Sequence, residues 1–412
     1  MRTWLTYLSA SLLGLATAWF FGESPEAFET LSSVNTFLLN LGLCLTLLSL
    51  PFTFTSGIAA LGREKKGRKV LRTCLAWSFL AAFLLAFLGA LAAWLCPMPF
   101  PATETSSLSP GTLSGSVGKI LSNAFKSLSL FNPLWTAGTT MNFFPPLLVI
   151  LFLVGLAASG SQEEFRPAFS ALTSFAEVMR RVSRNFTIFG FPLAFSSSSV
   201  FFLSLGKEGG LSLFAKGLGL ASLAALIIIL PLAFAVYTRF KVNPYRVLLR
   251  SLPALFLALF SSNRNMSLSI ETALSSDSIG NDKNVSSVSA PLMLVLGKGG
   301  SAFVSVIAVI SVIFSTTGGT LNVTGLLLAA LAAASASFLS SAASGAEPAL
   351  VAVLTLNFLG LELYGAENAI IALLPLIAGL GSLLDCSIAM LGTSAAAFKL
   401  GAVYDLDYED IL

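Results

Sequence analysis

The sequence predicts an all-α polytopic membrane protein, and three observations lead there. Hydrophobic residues make up 55% of the 412-residue chain. Charged residues make up 10%, against roughly 25% in an average soluble domain. Mean hydropathy is +0.86, and apolar runs of about 20 residues or more, enough to cross a bilayer, recur along the chain. A soluble surface of this size needs far more charge. A cytosolic enzyme, a disordered chain and a nucleic-acid binder are therefore excluded. The net charge of +3 is too small to argue for an anionic partner.

The spans are read in order from hydropathy. The first, 4–21, follows Arg2 and contains Ala16-Thr17-Ala18, which looks like a signal-peptide cleavage site. The apolar run continues through Trp19, Phe20 and Phe21, so it is read as a retained span. Further spans are placed near 34–61, 70–96, 117–158, 168–206, 211–238, 286–315 and 366–400. Asn132-Pro133 breaks the fourth and Pro145-Pro146 interrupts it again. Two stretches differ, at about 245–275 and 320–360. They are rich in Ser, Ala and Gly, with polar middles at Ser261-Ser262-Asn263-Arg264-Asn265 and at 340–348. Each reads as two short helices around a turn that enters the membrane and leaves on the same side. Such a backbone is tolerated only where protein or a water-filled cavity satisfies it. The expected architecture is eight transmembrane helices plus two re-entrant helical hairpins.

Charge in the short loops sets the orientation. The loop after the second span carries Arg63, Lys65, Lys66, Arg68, Lys69 and Arg72, and the loop after the sixth carries Arg239, Lys241, Arg246 and Arg250. Both are expected in the cytoplasm. The 22–32 loop, with Glu23, Glu26 and Glu29 and no base, is expected outside. Both termini are then cytoplasmic, including the acidic tail at 405–412.

Histidine is absent, which removes His-based triads, metal sites and proton relays. Cys44, Cys74, Cys96 and Cys386 lie scattered in apolar runs without a CxxC pair and read as small buried hydrophobes. No nucleophile–base pair, metal cluster or phosphate loop appears, so neither an enzyme nor a cofactor is expected.

Polar chemistry concentrates in three places. The first is the turn around Arg264. The second is Gly297-Lys298-Gly299-Gly300, midway along the seventh span, where glycines weaken the helix. Lys298 at that depth costs about 3 kcal/mol or more unless paired or wet. The third is Asp385 in the last span. A broken helix, two re-entrant turns and opposite charges at membrane depth suggest a substrate site near the midplane. Bland readings compete. Lys298 and Asp385 would serve as a structural ion pair, Arg264 would snorkel to the cytoplasmic face, Glu347 would face outside water, and Ser196–Ser199 would be packing.

This arrangement resembles the dicarboxylate/amino acid:cation symporter family, the glutamate transporter homologues. Leu47-Leu48-Ser49-Leu50-Pro51, Asn132-Pro133, Phe191-Pro192-Leu193, Val285-Ser286-Ser287 with Pro291-Leu292, Gly360-Leu361 and Gly379 to Asp385 fall in the family's order and spacing. The resemblance implies an elevator-type carrier in the cell (inner) membrane, working as a homotrimer. It places mainly scaffold helices in 1–240, with the third and sixth spans accompanying the mobile part. A transport core follows in 241–404 and an acidic tail in 405–412.

The resemblance also implies a substrate site at Asn263, Arg264, Asn265, Ser341, Ala343, Gly345, Asp385, Ile388 and Gly392. An ion-coupling region falls on Gly297, Lys298, Gly299 and Gly300. Here the chain departs from the family. Its Asn-Met-Asp-Gly falls on Gly297-Lys298-Gly299-Gly300, the Arg that clamps a side-chain carboxylate on Ile388, an Asn on Gly392, and two Asp residues on Gly381 and Ala396. The Asp that holds a substrate amino group is retained as Asp385. Lost carboxylates and a gained ammonium suggest that Lys298 stands in for a sodium ion; proton coupling through Lys298 is the alternative. Ile388 argues for a neutral side chain on the substrate and Arg264 for a carboxylate. The expected substrate is a small amino acid or a dicarboxylate, the coupling ion sodium, proton or none. An uncoupled channel for polar solutes or anions, and a non-transporting scaffold or receptor, are the rivals.

Overall fold

The computed structural model describes residues 3–22, 24–100, 144–160, 166–188, 190–206, 211–237, 244–317, 321–340, 347–359, 370 and 373–404. These form fourteen helices: α1 (Thr3–Phe21), α2 (Pro25–Arg63), α3 (Gly67–Leu95), α4 (Phe144–Ala158), α5 (Arg166–Ile188), α6 (Phe191–Gly206), α7 (Leu211–Tyr237), α8 (Pro244–Ser261), α9 (Arg264–Asp277), α10 (Lys283–Leu296), α11 (Gly299–Thr317), α12 (Val323–Leu339), α13 (Glu347–Leu359) and α14 (Leu374–Lys399). Among the described residues the β-type pairing is a single bridge between Asn281 and Val403. Together with Asp282 N–H to Ala402 O at 2.9 Å and Tyr404 N–H to Gly280 O at 2.7 Å, it ties the chain after α14 to the turn before α10.

Among the described residues, five stretches are long and apolar enough to cross a membrane: Thr3–Phe21, Pro25–Arg63, Gly67–Leu95, Lys283–Ser315 and Leu374–Lys399. Arg166–Ile188 with Phe191–Leu205, bent by 55°, makes a sixth if the bent pair is one span. This is a multi-pass helical membrane protein. Of the predicted fourth span the described residues are those from Phe144 on, and Phe144–Ala158 form α4. Asn132-Pro133 lies outside the described residues, as do 341–346 in the middle of the expected second hairpin. The last span begins at Leu374, later than hydropathy suggests, with a proline in its first turn.

Local chemistry explains several boundaries. Ser24 caps α2 by accepting from Ala27 N–H at 3.3 Å, with Pro25 in the first turn. Asp282 caps α10 through Asn284 N–H at 2.9 Å and Val285 N–H at 3.1 Å. The turn between α8 and α9 contains Ser262, whose φ of 52° lies in the left-handed region. Asn263 then starts α9 by accepting from Asn265 N–H at 3.1 Å.

Two packing zones follow. In the first, α1 lies on α6, and α2 lies against α4, α5 and α6. Ser196 and Ser197 donate to Asn35 Oδ1 at 3.2 and 2.8 Å, and a Cβ at Gly14 would strike Ser198, so the serine run is packing as its sequence suggests. Leu12, Trp19, Phe20 and Phe37 are left exposed on this zone, as suits surface in contact with lipid or another subunit. In the second zone, α11 is enclosed by α3, α12, α13 and α14. Lipid is as apolar as leucine, so helices here gain from close contact more than from burial. Six alanines of α12 between 329 and 336 are buried and let its neighbours approach.

Candidate functional site

The site is the break between α10 and α11. A helix that stops in the membrane leaves its last carbonyls and the first N–H groups of its successor without intrahelical partners. Both ends are satisfied here by charged side chains. At the α10 end, Arg264 donates from Nη2 to Met293 O at 2.7 Å and from Nη1 to Gly297 O at 2.8 Å and Leu294 O at 3.3 Å. At the α11 end, Asp385 Oδ1 accepts from Gly300 N–H at 2.7 Å and Ser301 N–H at 3.1 Å, and Oδ2 accepts from the Ser301 hydroxyl. Each charge also has the sign that the helix dipole favours at its end. Arg264 is 1% exposed and Asp385 0%. Arg264 therefore does not snorkel to the cytoplasmic face.

Lys298 sits in the break itself, fully buried, and its ammonium pairs with the Glu347 carboxylate at the start of α13. This corrects two sequence expectations. The Lys298 ion-pair partner is Glu347 and not Asp385, and Glu347 is 4% exposed instead of facing outside water. Ser305 holds the same corner by donating to Pro348 O at 2.6 Å. Arg264 and Asp385 both lie within electrostatic range of Lys298. The structure thus brings Arg264, Lys298 and Asp385 into one neighbourhood.

The glycines of the break serve contact. A Cβ at Gly300 would lie 2.6 Å from Asp385 N and 2.7 Å from Gly381 O, so only glycine lets α11 touch the α14 backbone. One at Gly299 would lie 2.9 Å from Ala81 O and 3.1 Å from Ile388 Cδ1. Ile388 is fully buried, and its carbonyl accepts from Trp77 Nε1 at 3.0 Å. Gly392 faces Trp77 and Met293, whose atoms would lie 2.6 and 2.7 Å from an added Cβ. Apolar bulk from Trp77, Met293 and Ile388 therefore fills the space beside these α14 positions. On α9, Ser267 donates to Glu271 Oε1 at 2.6 Å, while Glu271 Oε2 is buried without a hydrogen-bond partner among the described residues. Asn263 and Asn265 form the cap at the hairpin tip. Ser341, Ala343 and Gly345 lie outside the described residues.

Sequence reasoning missed Glu271, Trp77 and the pairing of Glu347. Glu271 was visible as an acidic residue in the middle of the serine-rich α9, two helical turns from Arg264. Nothing local marks Trp77, since a tryptophan in an apolar run is ordinary.

A broken span whose two inner ends are held by charged side chains is an arrangement that membrane carriers use. The family comparison agrees: the chain belongs to the sodium:dicarboxylate symporter family, whose model matches residues 4–399. No individual curated protein matches it.

Proposed function

We propose that this protein is a secondary transporter of a small amino acid or dicarboxylate, working by an elevator movement and without sodium. The observation that carries the reading is the occupancy of the break. In broken-helix carriers the half-helix ends receive substrate anions and coupling cations. Here Arg264 and Asp385 engage those ends, and Lys298 with Glu347 neutralises the gap between them. The sequence suggested Lys298 as the stand-in for sodium. Its pairing with Glu347 makes it one part of an internal charge set.

An amino acid is favoured over a dicarboxylate. Three of Arg264's donor contacts go to carbonyls, and Ile388 offers no clamp for a second carboxylate. Three of the four acceptor positions of Asp385 are taken by Gly300 and Ser301, which leaves one for an ammonium group. Packing supports the division into a transport core, 241–404, and a scaffold. α3 lies on α11 and α12 and α7 on α14, as expected if the third and sixth spans travel with the core. On this reading the protein works as a homotrimer in the cell (inner) membrane with cytoplasmic termini.

The test is uptake of a labelled amino-acid and dicarboxylate panel into proteoliposomes. Saturation and acceleration by substrate on the far side are expected. Flux that never saturates would make the protein a channel. Neither uptake nor binding, with indifference to Asp385→Ala, would make it a scaffold.

A further inference from the structure

We infer that Arg264 is a built-in cation: its guanidinium fills the place at the C-terminal end of α10 that a monovalent coupling ion would otherwise occupy. The inference rests on the sodium-free reading above and names the residue responsible for it.

Three carbonyl oxygens, those of Met293, Leu294 and Gly297, converge on one positive charge at 2.7, 3.3 and 2.8 Å. Carbonyl oxygens at a helix C-terminus, at the negative end of its dipole, are the ligands that a small hard cation takes inside a carrier. The guanidinium is covalently attached through α9, and the side chain is 1% exposed, so it does not exchange with ions in solution. Among the described residues, Asp385 is engaged at α11 and Glu347 at Lys298, and Glu271 on α9 pairs one carboxylate oxygen with the Ser267 hydroxyl. The hydrogen bonds of Arg264 go to carbonyls and not to a carboxylate.

Capping alone does not require a charge. Met293 O already accepts from Gly297 N–H at 2.8 Å, and the two N–H donors of a neutral amide would satisfy the carbonyls of Leu294 and Gly297. A full charge in the membrane interior is costly for a purely structural cap. What the charge adds is electrostatic: it substitutes for an ion that would have to be bound and released in every cycle.

The experiment compares the wild type with Arg264→Gln and Arg264→Lys. Each is purified and reconstituted, and its unfolding temperature and uptake are followed while sodium replaces choline at constant ionic strength. Guanidinium ion at millimolar, non-denaturing concentration is a second probe. The wild type is expected to be indifferent to both ions. Arg264→Gln should gain a saturable response to sodium, with stability and uptake raised several-fold or by several degrees, and should be rescued by guanidinium. Arg264→Lys, which keeps the charge, should stay indifferent. A folded Arg264→Gln that ignores both ions would overturn the inference while leaving sodium-free transport standing. Wild-type uptake that requires sodium would overturn the reading beneath it. If Arg264→Gln does not fold in choline, purification in sodium or guanidinium decides: recovery supports the built-in cation, and failure in both ions contradicts it.

Discussion

Replacing Lys298 by Met leaves the Glu347 carboxylate buried without its counter-ion, and the energetics can be worked from the site. The two side chains are 1% and 5% exposed. With charge centres about 4 Å apart and an effective dielectric near 20, their attraction is about 4 kcal/mol. Desolvating each ion costs several kcal/mol, so the intact pair contributes little net stability. Breaking it is different. Lys298→Met or Glu347→Gln alone should destabilise by about 3–5 kcal/mol, because one uncompensated charge remains. The double variant removes both charges and should lie within about 1–2 kcal/mol of the wild type. The assay is reversible unfolding in mild detergent followed by tryptophan fluorescence, with all four proteins on one denaturant scale. A double variant as unstable as the sum of the singles would show that the two groups do not act as a pair, and the charge-set argument would fail with it. If the pair also serves transport, the rescued double variant should be stable yet slow in uptake.

Other consequences are checked by simpler means. Asp385→Asn keeps an acceptor but loses the charge on the first N–H groups of α11, and should cost about 1–3 kcal/mol in the same unfolding assay and most of the uptake. Gly300→Ala places a methyl against the α14 backbone and should destabilise by about 1–3 kcal/mol where a tolerant helical glycine would gain from alanine. With single cysteines in an otherwise cysteine-free chain, a membrane-impermeant thiol reagent added outside cells should label Glu26→Cys and spare Arg68→Cys. The reverse pattern would invert the topology.

The family and the helical membrane architecture were legible because both rest on repeated signals: long apolar runs, basic loops and ordered short motifs. The break at 297–298 and the turn before Arg264 were legible too, since glycines, serines and lone charges at membrane depth have few other uses. Partners across the fold were not. Glu347 looked like a solvent-facing turn residue because its neighbours in sequence are small and polar. Only the return of α13 against the break shows that it meets Lys298. Arg264 read equally well as a snorkelling side chain or a carboxylate clamp. Its choice of three carbonyls depends on where α10 ends relative to the tip of the first hairpin, a distance that sequence spacing does not encode. The space filled by Trp77 and Met293 beside Gly392 is likewise a three-dimensional fact.

The most direct test of the account is the sodium dependence of substrate uptake by the reconstituted wild-type protein. An amino acid that enters proteoliposomes with the same saturable rate, with sodium present or fully replaced by choline, is the predicted result. Uptake that stops without sodium would mean that an ion still binds at the break, and that Arg264, Lys298 and Asp385 do not replace it.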